Sequence, residues 1–174
     1  MKLRWILRFT ALVAVLGITV MATNADEGTV PFRAKLTGFQ EVPPKLSPST
    51  GTFEATVIGS TLSYTLTYSK LSSPVLQAHI HFAQPGVNGA IFLFLCGSAT
   101  NPGPAGTPTC PPDGGTVSRT GVTASDILAL PAQGLTAGDF AGALSILESG
   151  DAYVNVHTTM HPDGEIRGLV RMGD

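Results

Sequence analysis

The stretch that decides the fold is DAYVNVHTTMHPDGEIRGLV, residues 151–170. Apolar and polar residues alternate along residues 152–158 and again after residue 164, which is the pattern of half-buried β-strands. Between the two runs, Pro162-Asp163-Gly164 supplies the fixed and positive φ angles that a chain reversal requires. Two alternating runs joined by a tight turn predict an antiparallel hairpin.

The same alternation recurs through most of the chain after residue 30. Its other runs are FRAKLTGF, TFEATVIG, TLSYTLTYS, VLQAHIHF and AIFLFL, separated by turns rich in Gly, Pro, Asn and Ser. Seven or more short strands in about 150 residues predict an all-β, antiparallel sandwich or barrel. The uncharged AIFLFL, residues 90–95, predicts a central strand buried on both faces. Asn88-Gly89, just before it, predicts a hairpin turn.

One segment, LTAGDFAGALSILESG at residues 135–150, has helical spacing instead. Thr136 and Asp139 stand in capping-box spacing, and Gly150 stands where a C-terminal cap belongs. We therefore predict one short helix across an end of the β-structure. Residues 120–135 predict a second helical turn.

The chain begins like a secretory signal peptide. Three basic residues precede an uncharged apolar run of 14 residues, from Phe9 to Ala22, which is shorter than the roughly 20 residues that span a bilayer. Small residues allow cleavage after Ala22 or Ala25, so we predict a signal peptide at residues 1–25, with an uncleaved anchor as the alternative. The mature protein is then secreted or periplasmic, with no transmembrane span.

Charge and length bound the class of protein. Residues 26–174 keep seven of the ten basic and all twelve acidic residues, so the net charge is about -5 with neutral histidines. This balance disfavours nucleic acid as a partner. The length fits one domain with a real core, which we place at residues 26–174.

Cys96 and Cys110 are the two cysteines of the chain, and they bound a loop rich in Gly, Pro, Ser and Thr, residues 96–110. In an oxidising compartment this pattern predicts a disulfide. A thiolate metal site is the alternative, but the spacing matches no zinc pattern.

Histidines are few and fall in a pattern. In QAHIHF, Ala78 and Ile80 alternate with His79 and His81, so both histidines project from the outer face, with side chains roughly 7 Å apart. In AYVNVHT the same alternation turns Asn155 and His157 outward. Register alone does not say whether these two strands are neighbours.

The outer face also receives Gln77, Glu165 and Arg167. A three-residue loop at 162–164 keeps the polar faces of the last two strands in register, because a one-residue slip would bury Glu165 and Arg167. The plainest interpretation of that pair is an exposed cross-strand ion pair. We expect Tyr153 to be a packing residue that hydrogen-bonds at a corner of the fold.

The chain resembles the CHRD domain, a module named from chordin and found as a single copy in exported bacterial proteins. The resemblance rests on AKLTGFQEVPP, AHIHFAQPGVNGAIFLFL and DAYVNVHTTMHPDGEIRGLV, in that order. It implies an immunoglobulin-like Greek-key β-sandwich outside the cytoplasm, and it implies no settled activity. The His-x-His strand with a third histidine near the C-terminus is also similar to the copper site of copper-zinc superoxide dismutases, although no bridging histidine or zinc-loop ligands are evident.

Imidazole suits copper and zinc, so His79, His81 and His157 are candidate metal ligands, with Glu165 or water as a further ligand. Gln77, Asn155 or a backbone carbonyl could orient the rings. The alternative is that these histidines are solvated polar residues that hydrogen-bond across strands.

No catalytic motif stands out, and catalytic residues stay unknown: the chain has no G-x-S-x-G, H-E-x-x-H or phosphate-binding glycine loop. Three hypotheses follow. The first is a binding or structural module that recognises an envelope or extracellular protein or glycan. The second is a copper or zinc protein based on the three histidines. The third is a dismutase-like enzyme, which needs an open redox coordination site as well.

Overall fold

The structure is a computed structural model that describes residues 28–173. The predicted signal peptide at residues 1–25 lies outside the described residues. The strands are β1 (Thr29–Thr37), β2 (Thr50–Ile58), β3 (Thr61–Ser69), β4 (Val75–Phe82), β5 (Ala90–Gly97), β6 (Gly115–Val122), β7 (Ala152–Thr158), β8 (Ile166–Leu169) and β9 (Arg171–Met172). One α-helix, α1 (Phe140–Ser149), precedes β7.

The nine strands form one continuous sheet. Its order is β5-β4-β7-β8-β1-β2-β3-β6, with β9 also paired to β1, and each of these strand pairs is antiparallel. The prediction of an all-β antiparallel fold with seven or more strands and one short helix is therefore confirmed. The sheet is nearly barrel-like, and the finer prediction of an immunoglobulin-like Greek-key sandwich is not confirmed.

The concave side of the sheet holds the core. Alternate residues of each long strand point inward and are buried, as period-two sequences require. They include Phe32, Leu36, Phe53, Leu66, Ile80, Leu95, Val154, Val156 and Ile166. On the convex side of β1 and β2, the intervening Arg33, Lys35 and Glu54 are exposed. This half of the sheet has the apolar-in, polar-out pattern that its sequence predicts.

The convex side of β4, β7 and β8 is different, because loops cover it. Asn155 donates a hydrogen bond to Glu41 from the segment 38–49, and Arg167 donates to the segment 83–89. The expectation of a wet outer face is therefore wrong. His79, His81, Asn155, Glu165 and Arg167 do share the outer face, but each of them is buried.

Strand β5 departs from its prediction in position. AIFLFL is largely buried, but β5 lies at one end of the strand order and is not central. Other groups satisfy its free edge: Leu128 N–H donates to Phe92 O at 2.9 Å, and the Tyr64 hydroxyl donates to Leu95 O. An apolar run without charges therefore indicates that both faces of the strand are covered. It does not by itself indicate a position in the middle of the sheet.

Helix α1 lies where the sequence predicts it. Its N-cap is Asp139, whose side chain accepts from Gly142 N–H at 2.8 Å, so the predicted cap at Thr136 is displaced by three residues. Gly150 ends the helix in the left-handed conformation, as predicted. The second helical turn is present as two short 3-10 turns, Ala124–Asp126 and Pro131–Gln133. Among the helices of residues 28–173, none has the length and apolar character to cross a bilayer.

The predicted disulfide between Cys96 and Cys110 is present, with a sequence separation of 14. Both cysteines belong to the buried core cluster, Cys110 N–H donates to Gly97 O at 3.0 Å, and Gly97 N–H donates to Pro108 O at 3.0 Å. The bond thus fixes the base of a loop that has few apolar residues of its own.

We expect the double variant Cys96→Ser/Cys110→Ser to lower the free energy of unfolding by about 3 kcal/mol, because the open loop regains its entropy in the unfolded chain. Urea unfolding of the oxidised protein and of the double variant measures this difference. An unchanged midpoint and slope would show that the loop is held by packing instead.

Candidate functional site

Strand pairing brings the histidines together. Strand β4 lies beside β7, a neighbourhood that the sequence left open, and the register sets His79 opposite Asn155 and His81 opposite Tyr153. Asn155 in turn lies opposite Arg167 of β8, so the polar faces of the last two strands match as predicted. The predicted three-residue loop at 162–164 is wrong, because the connection between β7 and β8 spans residues 159–165. Because side chains at opposed positions share a face, the polar residues of three strands form one patch.

Three imidazole rings converge within this patch. The ring centroids of His79 and His157 are 4.9 Å apart, those of His79 and His81 are 5.5 Å apart, and those of His81 and His157 are 6.0 Å apart. One nitrogen from each ring lies within 4.8 Å of the others. We call these three residues the histidine cluster. Within the described chain, no cysteine or carboxylate belongs to it.

Hydrogen bonds orient two of the rings. His81 Nδ1–H donates to Gly89 O at 3.0 Å, and His157 Nδ1–H donates to Pro162 O at 2.8 Å. In both rings this bond leaves Nε2 as the unprotonated nitrogen. Both Nε2 atoms are buried without a hydrogen-bond partner, and so are both nitrogens of His79. The carbonyl partners that the sequence analysis anticipated are thus found, while Gln77 and Asn155 do not orient a ring.

The surroundings keep the rings neutral. Burial, together with the neighbouring His157 and His81, lowers the pKa of His79 to about 2. Burial also lowers the pKa of His81 to about 4, against the opposing effect of the Gly89 carbonyl. The pKa of His157 is lowered by burial, although Pro162 O and Asp163 oppose the shift. Neutral imidazoles with a free lone pair are the form that binds metal ions.

An aromatic and cationic stack adjoins the cluster. The Tyr153 ring lies parallel to His81 at 4.6 Å, and the guanidinium carbon of Arg167 lies 3.4 Å from the centre of the Tyr153 ring. Gly89 N–H donates to the Tyr153 hydroxyl at 3.0 Å. Tyr153 is therefore a packing residue, as predicted, but it packs on a candidate metal ligand.

The Asn88-Gly89 pair is not the predicted tight hairpin turn. It ends a seven-residue connection, residues 83–89, between β4 and β5. The Asn88 side chain donates to Val42 O and accepts from Arg167, so it ties two covering loops to the sheet. A Cβ on Gly89 would lie 2.1 Å from Phe82 O, which explains the glycine.

Glu165 forms neither the predicted ion pair with Arg167 nor part of the histidine cluster. Its carboxylate accepts hydrogen bonds at 2.5–3.0 Å from the hydroxyls of Ser47, Ser49, Ser72 and Thr158 and from Ser72 N–H. Burial alone would raise its pKa, but these donors outweigh burial and lower the pKa to about 2. Glu165 thus joins three separate segments around one buried charge.

The other residues predicted near the ligands have different partners. Gln77 donates to Asn101 O at 3.2 Å and so contacts the disulfide loop. Asn155 donates to Glu41 at 2.6 Å and to Ile166 O at 3.1 Å. Glu41 is a residue of this patch that sequence reasoning missed, because a carboxylate in a loop gives no periodic signal. Burial raises its pKa to about 7, although Asn155 and Arg167 oppose the shift.

The histidine cluster fits a metal ion with a small adjustment. A tetrahedral or trigonal ion with bonds of about 2.0 Å holds its nitrogen ligands about 3.3–3.5 Å apart, so the ligand atoms would need to approach by about 1 Å. Side-chain rotation supplies such a movement. In return, up to three unpartnered buried nitrogens gain a partner.

We expect Glu165→Ala to lower the free energy of unfolding by about 3 kcal/mol, since Ser72 N–H and several hydroxyls lose their acceptor in a buried place. Glu165→Gln, which keeps one oxygen, should lose less. Chemical denaturation at pH 7 measures both. Glu148→Ala, at an exposed position, is the control, and equal stability of all three variants would contradict this role.

A second prediction concerns pH. The pKa of Glu41 is about 7 in the folded chain and 4.5 as the ordinary value, so the folded state holds its proton more tightly. Its contribution to stability is then complete below pH 4.5 and is lost as the pH rises through 7. Between these limits, Glu41→Gln should gain up to about 2 kcal/mol relative to the natural chain, a figure discounted for partial hydration.

Urea unfolding at pH 4.5, 6 and 8 tests this difference, with the exposed Glu54→Gln as the matched control. Parallel pH profiles for the natural chain and Glu41→Gln would show that the carboxyl group titrates at its ordinary pKa.

Comparison with known proteins supplies the family. The model of the CHRD domain matches residues 32–170, nearly the whole of the described chain. Neither the curated proteins nor the solved structures give a match. The match begins within β1, ends after β8 and includes all three members of the histidine cluster. The chain therefore belongs to the CHRD domain family.

Proposed function

We propose that this CHRD domain binds one copper or zinc ion through His79, His81 and His157. The observation that carries the proposal concerns the described part of the chain, residues 28–173: four buried ring nitrogens there have no hydrogen-bond partner, and all four belong to the histidine cluster. Buried polar atoms are nearly always paired in native proteins, and each exception requires an explanation. A metal ion shared by the three rings explains three exceptions at once.

The loss of folding free energy that the cluster causes when no metal is bound supports the same proposal. A buried, unsatisfied polar atom costs about 1–3 kcal/mol, and no hydrogen bond joins the three rings to one another. The alternative of solvated histidines does not agree with their burial, since His79 is 2% exposed and His81 is 6% exposed. His157 is half-buried, but its Nε2 atom is buried as well. Metal coordination would supply a partner for one nitrogen of each ring.

The ligand atoms follow from the hydrogen bonds. His81 and His157 present Nε2, because each Nδ1 is held by a carbonyl group. This is the usual arrangement around a metal, in which an outer acceptor fixes the tautomer and the ring plane. His79 has no such partner and packs its ring edge-to-face against Phe94 at 4.5 Å. Glu165, engaged by its five donors, is not available as a fourth ligand.

The wider proposals concern location and partners. We infer export, with the mature domain outside the cytoplasm, and the disulfide and the family are compatible with that location. Recognition of an envelope protein or glycan stays a prediction. A dismutase-like activity also stays a prediction, because it needs turnover and an open coordination position in addition to the three ligands.

The test is the metal content of the full chain, produced in an oxidising compartment without a histidine tag. We expect close to one copper or zinc ion per chain after both have been offered at neutral pH. Replacing all three histidines by alanine should abolish binding. Single replacement of His79 should weaken binding more than the roughly 10- to 100-fold effect typical of an outer hydrogen-bond partner.

His79→Leu separates function from folding. Removing an unsatisfied buried polar group in favour of an apolar one is neutral or stabilising, so the metal-free variant should be at least as stable as the natural chain and yet fail to bind. His161→Ala is the matched control, because only the backbone of His161 makes the recorded hydrogen bonds. Absence of metal in the natural chain, or unchanged binding by His79→Leu, would contradict the proposal.

A further inference from the structure

The histidine cluster offers no negative charge to a bound ion. Its three members bind as neutral imidazoles, and no carboxylate or thiolate joins them within residues 28–173. The ion would therefore keep its full charge in a buried place. Because the cost of transferring an ion out of water grows with the square of its charge, a divalent ion costs about four times as much as a monovalent one.

A permanent positive charge lies close to the same place. The strand order β4-β7-β8 sets Tyr153 between His81 and Arg167, so the three side chains form a layered stack. Arg167 is 1% exposed, and its guanidinium carbon lies no farther than about 8 Å from the centre of the His81 ring, with Tyr153 in contact with both. Water therefore screens this charge poorly.

Hydrogen bonds prevent the cation from moving away. Arg167 donates to Asn88 Oδ1 at 3.1 Å and to Val87 O at 2.7 Å. Gly89, which follows Asn88, accepts a hydrogen bond from His81 through its carbonyl oxygen and donates one to the Tyr153 hydroxyl through its N–H group. The short segment 87–89 thus fixes all three layers of the stack relative to one another.

We propose, on the basis of the function proposed above, that the site selects monovalent copper over Cu(II) and Zn(II). Imidazole nitrogen suits copper, and a +1 ion minimises both the burial cost and the repulsion from Arg167. For an ion about 8 Å from the guanidinium group and an effective dielectric constant of about 20, the second unit of charge weakens binding about 30-fold through Arg167 alone. The preference for Cu(I) comes from the charge of the ion, because three imidazoles by themselves suit copper and zinc alike.

The test compares the affinities of the full chain for Cu(I), Cu(II) and Zn(II), each measured against a chelator of known affinity. Ascorbate serves as the reductant, because a thiol would attack the Cys96–Cys110 bond. The comparison is made at pH 6, where Glu41 is largely protonated and does not offset the charge of Arg167. We expect Cu(I) to bind at least about 30-fold more tightly than Cu(II) or Zn(II).

Variants test the part played by the cation. Arg167→Met should reduce the preference for Cu(I) about 30-fold, whereas Arg167→Lys, which keeps the charge, should retain most of it. Arg119→Met is the matched control, because Arg119 pairs with Asp126 at 2.7 Å, away from the cluster. If Arg167→Met does not fold, Arg167→Gln is the neutral variant for the comparison, because its amide keeps an N–H donor for Asn88 Oδ1 or Val87 O.

The outcomes separate the two proposals. Cu(II) or Zn(II) binding as tightly as Cu(I) to the natural chain would overturn the monovalent selection and leave the metal site in place. A preference for Cu(I) that is lost in Arg167→Lys would overturn the role of the charge. Failure of all three ions to bind would overturn the proposed function itself.

Discussion

The burial of a polar sheet face is the constraint on which the rest of this structure depends. Strands β4, β7 and β8 carry histidine, asparagine and arginine on their convex side, and such side chains lose hydration when loops cover them. The free energy lost with this hydration is offset only if the covering segments supply hydrogen-bond partners. The loops therefore cannot be passive connections: segments 38–49, 83–89 and 159–165 each contribute polar atoms at fixed positions.

Glu165 shows how this requirement organises the cover. The carboxylate is 0% exposed and pairs with no cation among residues 28–173, so its charge is stabilised by the oriented hydroxyl and amide donors around it. Those donors come from before β2, from the connection to β4 and from the end of β7, so one buried charge joins three parts of the chain. Arg167 has the corresponding role toward segment 87–89. Against so complete a set of partners, the unpaired nitrogens of the histidine cluster are the exception.

Sequence predicts the directions of side chains here far better than their environment. Period-two alternation correctly assigned His79, His81, Asn155 and His157 to one face, and it placed Arg167 of the last hairpin on that face too, although the turn is longer than the predicted three residues. Burial was missed because it depends on contacts between distant segments, such as the bond between Ser47 and Glu165, 118 residues apart. No local pattern encodes such a contact. The closure of the strands into one sheet, with β7 inserted between β4 and β8, is likewise a property of the whole chain.

The histidine cluster combines rigid and adjustable ligands. His81 is fixed by Gly89 and by its stack on Tyr153, and His157 is fixed by Pro162 O, whereas His79 has only ring contacts. The two oriented Nε2 atoms restrict where an ion can bind, and the ring of His79, which has no hydrogen bond, is the one free to rotate toward it. Because the unfolded chain does not hold these residues together, binding at such a site adds its free energy to folding. The loops that bury the polar face thus also bury the site of the ion. Binding of an ion there would raise the free energy of unfolding of the domain.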